Sequence, residues 1–220
     1  MIDLSRYKTL VFDCDGVILD SNRLKSQAYF DTAIAFGASE QQARALMDYH
    51  IRLGGVSRYP KYRYFLTEIM GRPVQEEDIR FLLDRFAQEI QHGLLHCRVA
   101  EGLEELRARC ANTNWMVLSG GDQQELRQLF SARRLDGLFD AGIFGSPDNK
   151  DDVLARELSR GNIRKPALYL GDSRYDHEAA VAAGLDFVFV SSMTEFDGWQ
   201  EYCAAHDIPV IDQLSALLQD

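Results

Sequence analysis

Six short apolar runs punctuate this 220-residue chain, and each of the last five follows a stretch of helical periodicity. The runs are KTLVFD at 8–13, WMVLS at 115–119, AGIFG at 141–145, ALYLG at 167–171, DFVFV at 186–190 and IPVI at 208–211. Short β-branched and aromatic runs that stop at turn residues read as strands. Strands alternating with helices predict a doubly wound α/β fold, a parallel sheet with helices on both faces. The runs are continuously apolar, as expected of strands buried on both sides. Asp122 and Glu125 have capping-box spacing, which predicts a helix directly after the second strand.

One segment breaks the alternation. Between the first and second runs lie about a hundred residues without a convincing strand. They read as helices near 21–37, 39–53, 58–70 and 76–96. Leu24, Ala28 and the pair at 33–34 set the first apolar stripe; Ile79, Leu82, Leu83, Phe86 and Ile90 set the last. Ser39 and Gln42 have capping-box spacing, and Gly71-Arg72-Pro73 ends the third helix. A single crossover helix is far shorter, so residues 21–97 are predicted to be a helical insertion in a core made of 1–20 and 98–220. It leaves the core just after two aspartates, Asp13 and Asp15, which suggests a lid over them.

In doubly wound sheets ligands sit at the carboxyl ends of the strands. Asp13-Cys14-Asp15-Gly16 follows the first strand, Ser119-Gly120-Gly121 the second, Lys150 the third, and Gly171-Asp172-Ser173 with Asp176 the fourth. Three aspartates, a lysine and a hydroxyl would therefore share one edge. Hard carboxylate oxygens suit Mg²⁺. Ser119 and the Gly120 N–H, expected to open a helix, would be donors for an anion. An anion held by Mg²⁺, lysine and backbone N–H beside a free carboxylate is an arrangement for phosphoryl transfer, and a carboxylate can itself be the nucleophile.

These motifs resemble the haloacid dehalogenase-like superfamily, in particular its capped phosphatases of the phosphoglycolate phosphatase and β-phosphoglucomutase kind. FDCDGVILDS resembles the first motif, VLSGG the second, the lysine in SPDNK the third and LGDSRYD the fourth. The resemblance implies that Asp13 attacks phosphorus and that Asp15 protonates the leaving oxygen and then activates water. It implies Mg²⁺ on Asp13, the Asp15 backbone carbonyl and Asp172, phosphoryl oxygens on Ser119 and Gly120, charge neutralisation by Lys150, and Asp176 orienting Lys150 or a metal water. The second motif departs from the pattern, with Gly120 where asparagine is frequent, and Asp151 rather than proline follows Lys150. Lys165 precedes the fourth strand and so belongs to the wrong sheet edge. The presence of Asp15 points to an oxygen leaving group, hence a phosphate ester.

Within the insertion, Gly54-Gly55 precede Ser57-Arg58 and a new helix. Arg58 is the leading candidate for contact with the leaving group, ahead of Lys61 and His50. The pair His92 and His96 lacks the glutamate of a zinc motif and reads as a plain helix face. Cys14, Cys97, Cys110 and Cys203 fit no metal spacing and read as reduced thiols, with Cys14 turned away from its neighbouring aspartates by strand alternation. Net charge is −10 without a basic block, which argues against nucleic acid or an anionic membrane as partner. No signal peptide or spanning segment is legible, so a cytoplasmic enzyme acting on a small phosphorylated metabolite, with a sugar or polyol phosphate as candidates, is expected. A sugar phosphomutase shares every core motif and would differ by needing a bisphosphate primer. A non-catalytic binding module would differ by releasing no phosphate.

Overall fold

The structure, a computed structural model, describes residues 2–219. Six parallel strands form one sheet: β1 (Thr9–Phe12), β2 (Asn114–Asp122), β3 (Ile143–Ser146), β4 (Ala167–Gly171), β5 (Asp186–Val190) and β6 (Val210–Ile211), in spatial order β3-β2-β1-β4-β5-β6. β1 lies between β2 and β4, with Phe12 level with Val117 on one side and Leu170 on the other. The chain winds outward first on one side and then on the other, so strand order reverses at β1/β4. Crevices at the carboxyl ends of such a pair are where ligands bind in this class.

Strand alternation sorts side chains to two apolar layers. Leu10, Phe12, Trp115, Val117, Leu168 and Leu170 join the layer on one face. Val11, Met116, Leu118, Ala167 and Tyr169 join the other. Helices α5 (Leu103–Arg109), α6 (Gln123–Ala132), α7 (Lys150–Ser159), α8 (Arg174–Ala182) and α9 (Trp199–Ala205) accompany the sheet. Cys14 falls into the first layer, and all four cysteines are free thiols.

The insertion consists of α1 (Asn22–Ala35), α2 (Glu40–Arg52), α3 (Arg58–Tyr64) and α4 (Glu76–His96). It has its own apolar core, built on Tyr29, Leu46, Tyr62, Phe65, Leu82 and Phe86. The Ser39–Gln42 capping box forms at the start of α2. The helix expected over 58–70 is not uniform: after Tyr64 it widens into a π turn over Phe65–Ile69, closed by Met70 N–H to Phe65 O at 2.9 Å. β2 runs three residues beyond the expected strand end, so Gly120 lies in a strand. α6 instead starts at Asp122, whose Oδ1 accepts from the N–H of Gln124 and Glu125 at 2.9 and 3.1 Å. Among the described residues no helix is long and apolar enough to cross a membrane.

Candidate active site

Asp13, the first residue past β1, is tied to the neighbouring strand by its N–H, which donates to Leu170 O at 2.9 Å. Its buried carboxylate faces Lys150, whose Nζ stands 3.0 Å from Asp13 Oδ1. That approach is an ion pair out of hydrogen-bond line, and Oδ1 receives no hydrogen bond. Lys150 is the first residue of α7, held there by Asn149, whose side chain accepts from the Asp152 N–H. The ammonium also pairs with Asp176. Asp176 is fixed in turn by Tyr169 OH at 2.8 Å and by Ser173 through N–H at 3.1 Å and Oγ at 2.6 Å. Asp172, past β4, accepts from Asn22 Nδ2 at 2.7 Å. Acid oxygens of Asp13, Asp172 and Asp176 lie within 4.8 Å of one another, all buried.

Three buried carboxylates facing one ammonium leave excess negative charge. Burial pushes the Asp13 carboxyl up to about 7; Lys150 opposes this, and Asp176 and Asp15 add to it. Burial pushes Asp172 well above the usual range, reinforced by Asp13 and Asp176. Burial works against the Lys150 charge, but Asp13 and Asp176 outweigh it and hold its pKa well above the usual value. The set has the donor chemistry of a divalent cation site: hard oxygens, an unbonded Oδ1, and charge in need of neutralisation.

Asp15 is held differently. Its oxygens accept from Ser21 Oγ and Lys25 Nζ, each at 2.5 Å. Burial pushes its carboxyl up, but Lys25 and Ser21 more than offset this, so it lies below the usual value. Its carboxylate is not among the three clustered acids.

Above the acids lies a cavity of about 400 Å³ between core and insertion. Asp13, Asp15, Gly120 and Asp172 line it from the core, and Lys25, Tyr29, His50 and Arg58 from the insertion. The turn joining α2 to α3 presses onto the core at this point. Gly55 has φ +77°, and a Cβ there would stand 2.9 Å from Ser173 Oγ and 3.3 Å from Lys150 Nζ. A Cβ at Gly120 would stand 2.4 Å from the Gly55 carbonyl oxygen. A side chain at 120 would displace the insertion, which accounts for glycine at the position where the resemblance leads one to expect asparagine. Ser119 is buried, and its Oγ accepts the Gly121 N–H at 3.0 Å.

Arg58 does not end in solvent. It is buried, stacks 5.4 Å above the Phe86 ring, and donates to Glu125 Oε1 of α6 at 2.5 Å. Glu125 thereby leaves the capping box expected with Asp122 and ties the insertion to the core. Lys165, at the opposite edge, donates to Ala183 O at 2.8 Å. His92 and His96 lie on one helix face, with ring centroids 4.4 Å apart and His96 Nδ1 2.8 Å from the His92 carbonyl oxygen.

The strand-end residues Asp13, Lys150, Asp172 and Asp176 are thus brought together, with Asp15 beside them. Lys25 and Asn22 escape notice in the sequence, although both follow the first motif within one helical turn, and Ser21 closes that motif with no role assigned to it. Tyr169 is hidden by its place in an apolar run. Glu125 and Lys61 are also missed as partners, because their contacts cross between separate elements.

Comparison with known proteins agrees with this geometry. A family model described as haloacid dehalogenase-like hydrolase matches residues 10–190. The haloacid dehalogenase-like hydrolase domain-containing protein At4g39970 of Arabidopsis thaliana is 28% identical over 232 residues, covering 89% of this chain and 72% of that protein. A predicted phosphoglycolate phosphatase from Haemophilus somnus superposes with TM-score 0.73 at 18% identity, covering 98% of both chains. A predicted phosphatase from Clostridium acetobutylicum superposes with TM-score 0.74 at 18% identity, covering 96% of both. A phosphonoacetaldehyde hydrolase-like protein from Oleispira antarctica gives 0.73 at 17% identity, covering 96% of this chain and 90% of its own. At such identities the structural likeness speaks to fold alone, whereas the family model spans most of the chain. The chain belongs to the haloacid dehalogenase-like hydrolases.

Proposed function

We propose that this hydrolase is a Mg²⁺-dependent phosphatase that hydrolyses a small phosphate monoester, taken from the pool of phosphorylated metabolites. The observation that carries the reading is the set of buried acids around Lys150 at the β1/β4 switch, opening into a cavity capped by the insertion. Asp13 attacks phosphorus, the bond to the leaving oxygen breaks, and the phosphoryl group passes to the carboxylate. Lys150 neutralises charge on the attacked group and on Asp13, and Asp176, Tyr169 and Ser173 keep the lysine in place. Asp15 gives a proton to the leaving oxygen and later takes one from the water that cleaves the acyl phosphate. With Lys25 and Ser21 attached, Asp15 is in the basic form that the second half needs. Donation in the first half requires the Lys25 contact to loosen when the ester enters. Asp13 and Asp172 are the carboxylates free to hold Mg²⁺, since Asp176 is taken by four donors on three residues; the resemblance adds the Asp15 backbone carbonyl. Bound there, Mg²⁺ supplies electrophilic charge to the phosphoryl oxygens and offsets the acids.

The test is phosphate release from a panel of phosphorylated metabolites with Mg²⁺ and with excess EDTA. Turnover of at least one ester, lost on chelation, is the expected result. Absence of turnover across the panel, or full activity in EDTA, overturns the reading.

A further inference from the structure

Inside the insertion, His50 of α2 and Lys61 of α3 meet with Nζ 2.9 Å from Nδ1. Lys61 is fully buried behind the cavity wall, while His50 lines the cavity. The ring is held flat against Tyr29, with centroids 4.2 Å apart and planes 27° apart. A lysine nitrogen donates in either charge state and accepts only when neutral. Burial, then Lys25, lower the Lys61 pKa to about 7; below that pH the ammonium is the donor, Nδ1 the acceptor, and the ring proton sits on Nε2. The groups facing His50 from the packed elements are Lys25 and Tyr29 of α1 and Lys61 of α3. Burial, then Lys61 and Lys25, hold its pKa well below the usual histidine value, so the ring carries no charge.

Most charged side chains of the cavity wall are paired. Lys25 pairs with Asp15, Arg58 with Glu125 and Arg174 with Glu178. Glu195 accepts from Ser26 Oγ at 2.6 Å, and Arg52, exposed where it lines the cavity, stands outside these pairs. In this wall His50 and Tyr29 give the cap a neutral donor and an aromatic ring beyond the phosphoryl position.

We propose that His50, locked by Lys61, is an uncharged hydrogen-bond donor to a hydroxyl of the leaving group. The substrate part of the inference rests on the phosphatase reading; the tautomer does not. Ring ¹⁵N–¹H correlation spectra of the full chain test the tautomer without any substrate, with His50→Gln supplying the assignment. Expected is a single Nε2–H form at about pH 6, where Lys61 keeps its proton, and a tautomer mixture in Lys61→Met. An Nδ1–H form, or a ring that is doubly protonated at neutral pH, overturns the proposal.

Kinetics with ribitol phosphate and methyl phosphate test the contact. His50→Phe keeps the ring on Tyr29 and removes the donor. It should lower kcat/KM for ribitol phosphate about ten- to hundredfold more than for methyl phosphate, and His50→Gln should recover part of the loss. Equal losses on both esters overturn the inference. If no ester turns over, the phosphatase reading fails. A titration of Asp13→Asn protein with ribitol phosphate then decides the inference alone: a shift of the His50 Nε2–H resonance supports it, and no shift overturns it.

Discussion

Asp13 must ionise to attack, yet burial holds its carboxyl up at about 7 in the protein without metal. Replacing it by asparagine leaves no oxygen that can form the acyl phosphate. D13N should lose turnover by about a thousandfold or more, measured as phosphate release from any active ester; activity within tenfold of the parent would exclude this nucleophile. D15N should lose about 10²- to 10⁴-fold on alkyl phosphates and much less on an activated aryl phosphate, whose leaving group needs no proton. Equal loss on both would remove the acid role. The same acids make a stability prediction. For Asp13 and Asp172 the folded pKa lies above the unfolded one, so the folded state binds more protons and stability falls as pH rises through this interval. Asp15 has the opposite sign: its stabilisation is present above its unfolded pKa and is lost on acidification. In EDTA, D172N should therefore melt higher than the parent near pH 7.5, by roughly 2–4 °C per kcal/mol recovered, and the two should converge near pH 4. A parent that melts as high as D172N at pH 7.5 would show that the acids carry no excess charge.

At the scale of elements, the α2–α3 turn is the contact between insertion and catalytic edge. G55A places a side chain at φ +77° and against Ser173 and Lys150. The left-handed conformation alone costs about 1–2 kcal/mol, and the steric push would lift the turn off the site. Activity should fall at least about tenfold with a lowered Tm, and a variant that keeps both would show that the turn need not seat. Arg58 gives a second handle on the same junction. Its guanidinium is buried, while Glu125 is 40% exposed, so the pair contributes at most about 1 kcal/mol after solvent screening. R58A, E125A and the double variant should be non-additive in Tm by up to that amount. Additive losses would mean that α3 and α6 are not coupled through this pair.

For the whole molecule, a cation that binds the folded chain alone stabilises it by mass action. Mg²⁺ at about a hundred times its dissociation constant should add about 2.7 kcal/mol, read as a Tm rise of several degrees that D172A abolishes. Ca²⁺ should stabilise without supporting turnover, because its longer and looser coordination misplaces Asp13 for attack. Stabilisation by Mg²⁺ that survives in D172A would place the ion elsewhere. The net charge of −10 adds to the need for a cation where an anionic ester must approach clustered acids.

How much of this was legible in the sequence follows from which interactions are local. Continuous apolar runs alternating with helical periodicity suffice for the layer order, because a strand buried on both faces must be apolar along its whole length. β4 and β5 coincide with the expected runs, and Asp13, Lys150 and Asp172 reach one edge because parallel topology carries every strand end there. The Ser39 capping box was legible since its partners lie within one turn. What connects distant elements was not. Glu125 has capping-box spacing, but a buried guanidinium 67 residues away captures its carboxylate. Gly120 was expected at a helix start, yet it lies in a strand where the Gly55 carbonyl leaves no room for a Cβ. Lys25 looks like an ordinary surface residue of an amphipathic helix, and Lys61 and His50, named as weaker cap candidates, give no sign of their mutual contact until packing turns them inward. Periodicity specifies the elements, whereas the charge state and hydrogen-bond role of a buried side chain depend on which other element packs against it, and that only the tertiary structure decided.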